Sequence, residues 1–215
     1  MTEELPPEAP APQEKTAPEP ATKAPAGVLR GDKGTDAAQI IMSAFLILVI
    51  GAIAYLNTFG VPFQGLEQQY ILDNPAIQRI QTVPQAETGP VGAPLTQYSY
   101  ALNWRFVADS VWGFRFLDLL LHLANSMLLY LICRRLFRGT LPEPIAMLAG
   151  MLFAVHPLAS DAVVYLAGRP ALLSTFFALL TLLLWLRATQ RDTASLGTVA
   201  AALVCYALAF ASSFA

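Results

Sequence analysis

The 215-residue chain is 55% hydrophobic and only 13% charged, against about a quarter charged in an ordinary soluble domain, and its mean hydropathy is +0.51. This is the composition of an integral membrane protein. A net charge of −2 without a Lys/Arg cluster excludes a nucleic-acid binder, because neutralising phosphates takes clustered basic side chains.

Residues 1–36 are rich in Pro, Ala and Glu and almost free of large apolar side chains. Such a segment cannot bury enough surface to offset chain entropy, so it is expected to be a disordered tail. No cleavable signal peptide is visible in it, and the first apolar stretch is expected to remain as a signal-anchor helix. That stretch, 37–56 (AAQIIMSAFLILVIGAIAYL), is uncharged and about the length needed to cross a hydrocarbon core of roughly 30 Å at 1.5 Å per residue.

Residues 57–112 are polar and proline-rich, with Glu67, Asp73, Arg79, Glu87, Arg105 and Asp109 scattered through them, and form a long extramembrane loop. Within it, Leu95, Tyr98, Leu102 and Phe106 fall at helical spacing between Pro94 and Trp112. The spacing predicts a helix, and its Tyr and Trp content suits the membrane interface.

A second span is expected over 113–133. Asp118, His122 and Asn125 step by four and three residues, so they project from one helical face, which must point at protein or water. They are candidates for a functional cluster or for hydrogen bonds that hold a bundle together. Cys133 at the end of this span and Cys205 in the last one have neither a disulfide framework nor a metal-ligand spacing, and read as small buried hydrophobes.

Further spans are expected at 142–158, 170–186 and 194–211. Between the third and fourth, His156-Pro157, Asp161, Tyr165 and Gly168-Arg169-Pro170 read as a membrane re-entry hinge. Ionisable groups are costly in hydrocarbon, so His156, Asp161 and Arg169 are expected together at one water-facing surface, with Asp118 turned toward them. The fold class is therefore all-α, an integral membrane protein of about five transmembrane helices with a long first loop. The tail, Arg134 to Arg138 and Arg187 to Arg191 hold nine of the thirteen basic residues. The positive-inside rule then places the N-terminus in the cytoplasm and the loop, the hinge and the C-terminus on the far side. The expected location is the inner (cytoplasmic) membrane of a bacterium, multi-pass. No P-loop, Rossmann glycine fingerprint, HExxH or CxxC occurs.

In order, the polar landmarks are YLNTFGVPFQGLEQQYILDNPAI, PLTQYSYALNW, GFRFLDLLLHLANSMLLYLICRRLF and LFAVHPLASDAVVYLAGRPALLSTFFALLTLLLWLR. This succession resembles the N-terminal membrane part of the transmembrane-and-tetratricopeptide proteins, GT-C type glycosyltransferases similar to O-mannosyltransferases, from about Ile40 onward. The resemblance implies an acidic base in the first loop at Glu67, where a family acidic pair reads Glu67-Gln68, and a donor-phosphate region at His156, Asp161 and Arg169. It also implies departures: Ala93 where relatives carry Arg, Pro170 where they carry an acid, and Ala211-Ser212-Ser213-Phe214 where they carry a Lys-Glu pair. The family's later spans and its tetratricopeptide repeats are absent from this sequence.

Two readings follow. One is a non-catalytic membrane subunit or scaffold derived from this fold, with no cofactor, whose partners are an integral membrane protein or complex and lipids. The other is a transferase with Glu67 as base and Asp118, His122, His156, Asp161 and Arg169 around the donor. Only that form would need a lipid-phosphate sugar or a divalent cation.

Overall fold

The computed structural model describes residues 33–65, 67–79, 94–140, 142–189 and 195–213; nearly all of the expected tail lies outside them. The helices are α1 (Lys33–Ala54), a four-residue α2 (Pro75–Gln78), α3 (Pro94–Val107), α4 (Val111–Leu136), α5 (Glu143–Val155), α6 (Pro157–Val164), α7 (Arg169–Thr189) and α8 (Leu196–Ser213). Short 3-10 turns cover Leu56–Gly60 and Leu166–Gly168, and a π turn covers Gln68–Leu72. No strand occurs among the described residues.

Helices fall at each of the expected spans, in order α1, α4, α5 with α6, α7 and α8, but only three or four of them have the length of a crossing. The segments Asp36–Gly60, Val111–Leu136 and Leu166–Thr189 are long and apolar enough to cross a bilayer. The pair α5–α6, bent by 52°, makes a fourth if it counts as one broken span, and α8 is apolar but shorter.

Helix α4 is the hub, packing against α1, α5 and α7 and touching α3 and α6. The reason lies in its polar face. Between apolar helices in lipid, association rests on close packing and interhelical hydrogen bonds rather than on hydrophobic burial. Accordingly, the helix carrying Arg115, Asp118, His122, Asn125 and Ser126, all buried, sits in the middle. Packing is close at Gly150 of α5, where a Cβ would lie 2.8 Å from Ile47 Cδ1 and 3.0 Å from Tyr130 Cβ, so α5 beds directly on α1 and α4. At the same end, Arg134 Nε donates to Glu143 Oε2 at 2.9 Å and Tyr130 Oη donates to Glu143 Oε1 at 2.5 Å. Asp36 accepts from Arg134 and Arg138, which ties α1 to that corner.

Within the expected hinge, the chain bends by 52° at His156-Pro157, continues as α6, and reverses at Tyr165–Gly168. Pro157 has no N–H for the carbonyl of Phe153, so the helix breaks there without having to end. The amide of Leu158 takes the His156 Nδ1 as acceptor at 3.2 Å, which starts α6 with a side-chain cap. The carbonyl of Ala154, which that amide would otherwise have served, accepts instead from His122 Nε2 at 3.0 Å. A buried α4 side chain thus replaces a backbone bond lost at the break.

Candidate functional site

Helix α3 faces the opposite way from a soluble amphipathic helix. Tyr98, Leu102 and Phe106 are exposed, whereas Thr96, Gln97, Tyr100, Ala101 and Asn103 are buried. Its apolar stripe is turned outward, as suits a helix lying against lipid, and its polar face is turned into the bundle. What it meets there is the start of α4, the first turn of α7 and the end of α8.

The centre of that meeting is Arg169, the first residue of α7 and wholly buried. Its Nε donates to Asp118 Oδ1 at 2.5 Å, both side chains being 0% exposed. Its Nη2 donates to Asn103 Oδ1 at 3.2 Å and to the Phe114 carbonyl at 3.1 Å. The guanidinium carbon lies 4.3 Å from the Tyr100 ring centroid and 5.5 Å from that of Phe114, a stacking that suits the weakly hydrated arginine plane. Tyr100 Oη donates to the Leu166 carbonyl. Burial pushes this phenol well above its ordinary pKa, against the pull of Arg169, so it remains a donor.

Glu67 enters from the loop. Its Oε1 accepts from the Leu166 amide at 2.7 Å and its Oε2 from the Gln64 amide at 3.0 Å. Arg115 Nη2 stands 3.8 Å from Oε2. Arg115 itself donates to the carbonyls of Val164 and, at 3.0 Å, Pro62. The loop, α4 and the reversal at Tyr165–Gly168 are therefore joined through two arginines and two carboxylates. Their formal charges cancel. The polar atoms left without a partner among the described residues are Arg115 Nε, Asp118 Oδ2 and Arg169 Nη1 here, and Asn125 Oδ1 deeper in.

Of the residues singled out from the sequence, Glu67, Asp118 and Arg169 come together in this net. His122 lies about one turn further along α4, bonded to Ala154 and stacked on Phe153. His156 and Asp161 are exposed whereas Arg169 is wholly buried, so the single water-facing surface expected for all three does not form. Sequence reasoning missed the roles of Arg115, Tyr100 and Asn103. The signal for Arg115 was the cost of a cation inside a span, which calls for a buried anion as partner; for the other two it was their spacing of three on α3.

A cleft of about 250 Å³ opens beside this net, lined by His122, Asn125, Phe153, His156, Ala162 and Leu172 among others. No group of three or more His, Cys, Asp or Glu able to hold a metal ion occurs among the described residues.

Comparison with known proteins matches residues 90–214 to the model of a family described as dolichyl-phosphate-mannose-protein mannosyltransferase. Among individual proteins, the chain is 24% identical over 168 residues to Protein O-mannosyl-transferase F38B6.6 of Caenorhabditis elegans, covering 72% of this chain and 24% of that protein. It is 34% identical over 94 residues to Protein O-mannosyl-transferase tmtc2 of Xenopus laevis, covering 44% and 11%. It is 31% identical over 149 residues to Protein O-mannosyl-transferase Tmtc2 of Drosophila melanogaster, covering 63% and 16%. The chain thus spans about a quarter or less of the length of these relatives. No solved structure matches.

Proposed function

The chain belongs to the dolichyl-phosphate-mannose-protein mannosyltransferase family, and from that premise we propose that it is a non-catalytic, multi-pass membrane subunit built on a glycosyltransferase fold. The observation that carries the proposal is the state of Glu67. A general base must present a lone pair to its substrate. The Glu67 side chain is 2% exposed, with both oxygens accepting backbone amides and Arg115 beside one of them. A phosphate-bearing donor calls for surplus positive charge. Here each guanidinium is buried and matched by a carboxylate. Glu67 on this reading is a clasp that closes the loop onto the reversal at Leu166.

The partner we propose is another integral membrane protein. Tyr206, about 15 Å along α8 at 1.5 Å per residue, is 61% exposed, and a phenol at that depth is better served by a neighbouring helix than by hydrocarbon. Purification in mild detergent is expected to bring down one stoichiometric membrane protein; recovery of the free chain alone would count decisively against the proposal.

The family match supports a second reading, an active transferase, and Glu67→Gln separates the two. As a clasp, the amide loses one acceptor and the charge facing Arg115, so the melting temperature in detergent falls by the equivalent of about 1–3 kcal/mol and the O-mannosyl products of the host do not change. In a transferase the same change removes those products while the fold persists.

The proposed orientation has the N-terminus in the cytoplasm and Glu67 on the far side, from the nine basic residues counted above. In a cysteine-free background, a cysteine at exposed Asp73 is expected to react with an impermeant maleimide on intact cells and one at exposed Gly139 only after permeabilisation. The reverse pattern overturns the orientation. The relatives named above are animal proteins, so the proposal carries over this sidedness and not the bacterial inner membrane.

A further inference from the structure

The cleft between α4, the α5–α6 bend and α7 has a polar floor that the net around Arg169 does not use. Asn125 is 1% exposed. Its Nδ2 donates to the Leu172 carbonyl at 3.1 Å, which fixes the amide orientation and leaves Oδ1 without a donor. The second polar wall is His122. Because its Nε2 serves the Ala154 carbonyl, the neutral ring carries its proton there and Nδ1 is an acceptor. Toward the outside stands His156, whose Nδ1 accepts from the Leu158 amide, so its Nε2–H is a donor. Both histidines of the chain thus line one cleft whose other walls, beside Asn125, are Phe153, Leu158, Leu172, alanines and Thr175. Its depth matters too: His122 lies about 16 Å along α4 from Val111 at 1.5 Å per residue, near the middle of a hydrocarbon core of roughly 30 Å.

We propose that this cleft binds the neutral hydroxyl group of a membrane-soluble alcohol, with the apolar body of the ligand lying between α5–α6 and α7. The hydroxyl is the simplest group that complements the walls: one donor for Asn125 Oδ1 or His122 Nδ1, and lone pairs for His156 Nε2–H. A carboxylate or phosphate would find no cation among the lining residues, an ammonium no anion. An ester carbonyl has no proton to give, so Asn125 would stay unsatisfied. The inference does not depend on whether the family chemistry survives, since it involves neither Glu67 nor Arg169.

The test uses the full chain in mild detergent, labelled by a diazirine-bearing hexadecanol, with adducts mapped by mass spectrometry. Labelling is expected on residues 153–162 and 171–175. Unlabelled hexadecanol should displace it at about tenfold lower concentration than the methyl ester of hexadecanoic acid, the preference that one hydrogen bond to a buried acceptor supplies. Asn125→Leu should abolish that preference, and His156→Ala, at an exposed position, should weaken it in a variant that keeps the core. Equal displacement by the ester or the acid, adducts scattered over α1 and α8, an unchanged preference in both variants, or a second protein's helix cross-linked in the cleft would each overturn the proposal.

Discussion

Asp118→Leu is expected to melt in detergent well below the parent, by the equivalent of about 3–5 kcal/mol, whereas Gln39→Leu, at an exposed position of α1, stays within about 0.5 kcal/mol. The reason is the arginine left behind. Arg169 has no exposed surface, and after the substitution its remaining partners are the Asn103 amide oxygen, one carbonyl and two aromatic rings, none of them an anion. Glu67 cannot substitute, because both its oxygens are held by backbone amides and its charge already faces Arg115. Adding Arg169→Met to Asp118→Leu should recover part of the loss, since exchanging a buried pair for apolar side chains is far less costly than breaking it. Equal melting temperatures for Asp118→Leu and Gln39→Leu would mean that water reaches this pair.

Gly168→Ala should destabilise the chain by about 1–3 kcal/mol, a large effect for one methyl group. A Cβ at Gly168 would stand 2.5 Å from Ala162 Cα, 2.7 Å from its carbonyl oxygen and 2.9 Å from its carbonyl carbon. These are backbone atoms of α6, so no rotamer change relieves the contact. The reversal would have to move off α6, taking with it Leu166, whose amide binds Glu67 and whose carbonyl binds Tyr100, and the neighbouring Arg169. Gly60→Ala and Gly197→Ala, where the new methyl meets nothing within 4 Å, are the controls and should leave the same thermal scans unchanged or slightly raised. A shift for Gly168→Ala no larger than theirs would show that α6 and the turn are not in close contact.

The helical segments were legible because a bilayer imposes a length on an apolar run, and the inward face of α4 because Asp118, His122 and Asn125 repeat with the helix. The inner build of the hinge was not. A proline marks where a helix loses a hydrogen bond but not whether the chain then turns back or merely bends. The better guide was length: residues 143–164 together make about 33 Å of helix at 1.5 Å per residue, enough for one crossing. Reading His156 as a surface residue carried Asp161 and Arg169 along with it, and only Arg169 belongs with Asp118. The pairing of Glu67 with Arg115 was out of reach for another reason. It joins a loop to a helix start 48 residues away, and no periodicity connects the two.

The inward polar face of α3 and the clasp at Glu67 also dictate a sequence of events during synthesis. Glu67 binds the amide of Leu166, Asn103 and Tyr100 hold Arg169 and Leu166, and Thr96 Oγ1 donates to the carbonyl of Ser212 at 3.0 Å. Every anchor of this early segment belongs to a part of the chain that leaves the ribosome roughly a hundred residues later in the extreme cases. Until then α3 has chiefly its outward apolar stripe to hold it at the bilayer surface, and Asp118 sits in α4 without its charge partner, whereas Arg115 emerges after its partner Glu67. The first loop is thus the last to be fully seated: Glu67 and α3 can meet the start of α4 early, but their remaining anchors come only once α7 and α8 have joined the bundle. Nascent chains arrested before Arg169 emerges should keep residues 94–107 open to protease, and chains arrested beyond Ser212 should protect them.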